Sequence, residues 1–80
     1  MAAATIADPV YAEWLRAGTH GRKAIGHRQS AVKYARWARD MVASHNYGMA
    51  RMFRAHEAEQ NALAEQETQL AVEAGEPIVQ

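Results

Sequence analysis

Large apolar side chains recur along this chain at helical spacing. Val10, Tyr11, Trp14 and Leu15 fall at i, i+1, i+4 and i+5, which gathers them on one face of a helix. Tyr34, Trp37, Ala38, Met41 and His45 share one side of a second helix at about 100° per residue. Arg28, Lys33, Arg36 and Arg39 fall on the opposite side, with Val32 alone among them. Met49, Met52 and Phe53 open a third run, after which only Leu63, Leu70 and Val72 are large and apolar as far as Ala74. No internal repeat stands out.

Cap and break signals divide these runs. Asp8-Pro9 is a helix start, because aspartate suits the N-cap and proline the first helical position. Gly18 suits a left-handed cap at the end of that helix. Residues 18–29, GTHGRKAIGHRQ, contain three glycines. Each costs about 1 kcal/mol relative to alanine inside a helix, so the segment is expected to be an irregular basic loop. Ser30 then caps the second helix, with Thr19 as a rival start. Asn46-Tyr47-Gly48 is the expected turn, since asparagine and glycine tolerate left-handed backbone. The alternative is a single helix running through Gly48 at a cost of about 1 kcal/mol. Gly75 at C′ and Pro77 beyond it end the last helix. The expected fold is therefore all-α, one small domain over 1–80 with helices near 9–17, 30–45 and 49–74. The second and third form a helical hairpin, the polar C-terminal helix extends beyond it, and GEPIVQ is a short extended tail.

Composition makes the core thin. Apolar residues are 49% of the 80, but 18 of these 39 are alanine. Alanine favours helix yet has little surface to bury. So short a chain buries only about 60% of the surface that its unfolded form exposes. The last helix, polar nearly all round, is expected to be exposed or held by another subunit through its alanines. There is no cysteine, which excludes disulfides, thiolate metal sites and a cysteine nucleophile. No run of 18 apolar residues and no signal-peptide pattern at MAAATIADP occurs, so the expected location is the cytoplasm or an assembly formed there.

Zero net charge conceals a strong asymmetry. All nine basic residues lie between Arg16 and Arg54 with Asp40 alone opposing them, while residues 55–80 hold six glutamates and no Lys or Arg. Arg22, Lys23, Arg28, Lys33, Arg36 and Arg39 are therefore candidate phosphate or nucleic-acid contacts, interleaved with Tyr34 and Trp37. The competing reading is internal neutralisation. A hairpin centred near Tyr47 brings Glu57 and Glu59 near Arg36 and Arg39, and Glu65 near Arg28. Exposed pairs of that kind contribute only about 0.2–1 kcal/mol each.

Catalytic inventory is poor. Ser30 and Ser44 are the only serines, and neither sits in a nucleophile-elbow pattern. Paired carboxylates occur only in the polar last helix, where nothing desolvates them. Gly21-x4-Gly26 has phosphate-loop spacing but is followed by His27 and Arg28, not Lys and Ser or Thr. His20, His27, His45 and His56 are not paired at i+3 or i+4, and read as surface or turn histidines. No enzyme, cofactor, metal or small-molecule substrate is expected. Trp14, Tyr34, Trp37, Met41, Met52 and Phe53 are left, either packed on one another as the core beneath the first helix or presented as an interface. The expected function is a non-catalytic structural or adaptor subunit that binds other protein chains, as a homo- or hetero-oligomer. The alternative is a small nucleic-acid-binding protein using residues 22–39.

Overall fold

A computed structural model describes residues 8–77, and the last three residues of the GEPIVQ tail fall outside it. Three helices follow in order, α1 over Pro9–Arg16, α2 over Thr19–Ala43 and α3 over Tyr47–Glu73, with no strand among the described residues. Helices α2 and α3 form an antiparallel hairpin, and α1 packs only lightly on α2. The result is flat, 44 × 38 × 14 Å.

The hairpin closes on alanine. Ala17, Ala24, Ala31 and Ala38 recur every seven residues and are all buried, and Ala50, Ala64 and Ala71 answer them from α3 with Glu57 in the remaining place. A seven-residue repeat keeps one seam of a helix facing its partner. A methyl group at the seam lets two helices pack closely, because interaxial distance depends on the side chains at the contact. Ile25 is the one larger side chain in the core, and no large side chain among the described residues is fully buried. Scarcity of large apolar residues is thus what lets the helices come together.

Beside the seam runs a ladder of cross-helix pairs, also seven residues apart. His20 Nδ1 lies 2.8 Å from Glu67 Oε1, and His27 Nδ1 lies 2.8 Å from Gln60 Oε1. Tyr34 stacks on Phe53 with ring centroids 6.1 Å apart. These three rungs set the register.

Two boundaries differ from expectation. Helix α2 begins at Thr19, not Ser30, and passes through Gly21 and Gly26 without interruption. Gly26, in the helix interior, costs about 1 kcal/mol, and Gly21 lies in the first turn, but His20, Ala24 and His27 all engage α3, and that packing outweighs the cost. The turn falls at Ser44–Asn46, two residues earlier than expected, and Gly48 lies inside α3. His45 takes the left-handed position with φ 60°, His45 N–H donates to Val42 O and Asn46 N–H to Met41 O. This is the double closure of a helix C-terminus in which glycine is usual. Asn46 then caps α3 by accepting from Met49 N–H at 3.3 Å. The earlier turn shifts the ladder register, which pairs residues 20, 27 and 34 with 67, 60 and 53, while the Arg28 side chain reaches Thr68 on α3.

Two other ends follow the sequence signals, whereas Gly18 does not form the expected left-handed cap of α1 and, at φ −87°, stands at the N-cap of α2. Asp8 Oδ1 accepts from Val10 N–H and Tyr11 N–H, with Pro9 in the first turn. Gly75, φ 71°, ends α3 with the same two backbone bonds that close α2, from Gly75 N–H to Val72 O and from Glu76 N–H to Ala71 O.

Candidate interaction faces

A two-helix plate has two broad faces, and the ladder defines the first. On it lie His20, His27, Tyr34 and Met41 from α2, with Phe53, Gln60 and Glu67 from α3. Its turn-side half is aromatic. Trp37 meets Phe53 at 5.5 Å and Tyr34 edge-on at 5.7 Å, and His56 lies 5.2 Å from Tyr34. Trp37 remains 40% exposed, and Met49 and Met52 are exposed near it. Of the six expected interface residues, the structure thus brings together Tyr34, Trp37 and Phe53, with the half-buried Met41 on the same face and Met52 exposed nearby.

Trp14 is elsewhere. It stacks near Tyr11 on α1, with centroids 6.3 Å apart, and both are exposed together with Leu15. Helix α1 buries none of its residues and does not lie across the aromatic cluster, contrary to the packed-core expectation. Two arginines hold it to α2. The Arg22 guanidinium sits 3.8 Å over the Trp14 ring and its Nε donates to Trp14 O at 3.0 Å, while Arg28 approaches Glu13 at 3.8 Å.

Those contacts dismantle the single cationic face. Arg22 and Arg28 are occupied with α1, and Arg28 also donates to Thr68 Oγ1 at 3.4 Å. Lys33 leans over Trp37 and Tyr34, at 5.2 and 5.6 Å. Arg36 and Lys23 are exposed along α2. Arg28 and Arg39 turn to the second broad face, where with Arg54, Glu57, Asn61 and Val32 they line an open concavity of about 480 Å³ over Ala31 and Ala35. The expected cross-hairpin neutralisation is also altered, since Glu57 bonds Arg54 on its own helix at 2.7 Å.

The far end of the hairpin is fastened by a carboxylate that no local sequence pattern announces. Glu76 reaches back from beyond α3 to cap α2. Its Oε2 accepts from His20 N–H and its Oε1 from Gly21 N–H, both at 3.0 Å. Gly18 permits this, because a Cβ there would fall 2.6 Å from Glu76 Oε1. The Gly21 and His20 amides hold the Glu76 carboxyl below its ordinary 4.5, the His20 ring adds to this, and partial burial opposes it. His20 and His27 are therefore interhelical rather than surface residues. The seven-residue alanine repeat, with a histidine three places after Ala17 and Ala24, was the available signal. Glu76 had none, because its partner is 55 residues away in sequence.

Among the described residues, no three His, Asp or Glu side chains come together closely enough to hold a metal ion, and no helix is long and apolar enough to cross a membrane. Comparison of the chain with protein-family models, with curated proteins and with solved structures finds no match, so its own geometry carries the functional reading.

Proposed function

We propose that this chain is a non-catalytic helical subunit, an adaptor that binds other protein chains within a larger assembly. One observation carries the reading. The described chain fully buries no large side chain, while Tyr11, Trp14, Leu15, Trp37, Met49 and Met52 are all exposed. Aromatic and methionine side chains are the types enriched at protein interfaces and at their hot spots. They form two separate sets, one on α1 and one at the turn of the hairpin, which suits a part that joins neighbours. An alanine seam brings the two helices close but removes little apolar surface from water, so a neighbour supplies the rest of the stability.

Thermal unfolding of the isolated chain at low micromolar concentration, followed by circular dichroism, tests this. The adaptor reading expects a broad, weakly cooperative transition, or one whose midpoint rises with protein concentration. A sharp, concentration-independent transition from a monomer contradicts it.

The concavity bearing Arg28, Arg39 and Arg54 favours a second reading, nucleic-acid binding. It expects affinity that falls steeply with salt and drops when Arg28, Arg39 and Arg54 become alanine. Unchanged affinity in that triple variant removes it.

A further inference from the structure

The ladder face carries a second seven-residue repeat that the hairpin only partly covers. Met49, His56, Leu63 and Leu70 recur at that interval on α3, beside Tyr34, Trp37 and Met41 of α2. Leu63 and Leu70 stay only half-buried, and Trp37 and Met49 are exposed. Such a repeat is what a supercoiled neighbouring helix packs against. Among the described residues nothing else covers it, because α1 is held by Arg22 and Arg28, and Arg28 turns to the other face.

We infer that this face is the interface of a homodimer, in which two hairpins pack face to face into a four-helix bundle with their turns at the same end. The inference deepens the adaptor reading, on which it rests, by naming a second copy as the first partner.

Three observations select a second copy in this orientation. The first is area. A plate 44 Å long and two helices wide, about 18–20 Å at usual helix spacing, offers about 800 Å² per protomer, which is the size of a standard specific interface. The second is charge. With Arg22 and Arg28 held by α1 and Arg39 turned to the other face, α2 still offers Lys23, Lys33 and Arg36, and α3 offers Glu59, Glu65 and Glu73 outside the His20–Glu67 and Arg54–Glu57 pairs. A twofold axis running along the hairpin lays each basic α2 on the acidic α3 of its partner. The opposite orientation lays α2 on α2, like on like. The third is the gradient along the face. Turns together place aromatic half on aromatic half, and His20–Glu67 and His27–Gln60 on their own counterparts. Reversal would bury those polar pairs against Trp37, where nothing answers them.

Sedimentation analysis of the full chain, with melts of the same samples, tests the inference. The expected result is a dimer in the micromolar range. Trp37→Glu weakens association about 30-fold or more, as loss of a hot spot does, while Val32→Glu on the other face changes it less than about twofold. Met49→Glu, on the ladder face, repeats the effect should Trp37→Glu unfold. Because the chain has no cysteine, Ser44→Cys supplies a unique handle at the turn, and a short bis-maleimide links two copies only when the turns are adjacent. A monomer up to about 1 mM overturns the inference, as does equal weakening by Val32→Glu or a dimer that Ser44→Cys cannot link. A monomer that melts without cooperativity leaves the adaptor reading intact, with another chain as partner. A monomer that melts sharply removes both.

Discussion

The two halves of the hairpin share one seam and differ in everything beside it. Toward the turn, the alanines are flanked by Tyr34, Trp37 and Phe53 in mutual contact. Toward the open end, they are flanked by His20–Glu67 and His27–Gln60, and the end is fastened by Glu76. Tight packing along the seam sets how the helices meet. The flanking layer decides what each half offers to the outside, apolar surface at one end and satisfied polar groups at the other. The difference shows that a core of methyl groups leaves larger side chains free for partners.

The largest expected effect treats both halves alike. Ala38→Leu and Ala24→Leu each insert a branched side chain into the seam, where Ala38 is 0% and Ala24 1% exposed. Each is expected to destabilise by about 1–3 kcal/mol or to force the helices apart, measured as a lower midpoint in urea. A tolerated leucine at either site would mean that half is not closed on alanine.

A smaller effect separates the halves. Phe53→Ala removes the side chain on which Tyr34 and Trp37 meet and is expected to cost about 2 kcal/mol, below the fully buried range because Phe53 is half-buried. Gln60→Ala, one rung along, removes one part-buried hydrogen bond and is expected to cost about 1 kcal/mol. Equal losses by denaturant titration would erase the proposed contrast.

The smallest effect is confined to acid and to the open end. The folded state lowers the Glu76 pKa, so its contribution is fully present above the ordinary 4.5 and is lost as pH falls through the lower folded value. Glu76→Gln is therefore expected to reduce stability at neutral pH and to flatten the decline below about pH 4.5. Parallel pH profiles for the two proteins would show that the carboxylate does not fasten α2.

Much of this fold is legible in the sequence where local chemistry decides. Asp8-Pro9 and Gly75 mark their helix ends because capping depends on near neighbours. The start of α2 is not legible that way, since Gly18, Gly21 and Gly26 argue locally against a helix that contacts with α3 and Glu76 sustain. The turn precedes Asn46-Tyr47-Gly48 because His45, an unusual left-handed residue, closes α2 first. The apolar cluster of Tyr34, Trp37 and Phe53 follows from spacing alone, but the occupation of Arg22 and Arg28 by α1 depends on where a separate helix docks. The seven-residue spacing of the alanines is a stronger signal of the seam than their small apolar surface.

The alanine seam and its register can be tested by crosslinking in a chain free of native cysteine. Ala24 lies between the His20 and His27 rungs, and Ala64 between their partners Gln60 and Glu67. Ala24→Cys with Ala64→Cys is expected to form an intramolecular disulfide readily in dilute solution, whereas Ala31→Cys with Ala64→Cys, the pair suited to a turn centred near Tyr47, is not. Preferential closure of the Ala31 pair would contradict the register, and with it the seam on which both faces depend.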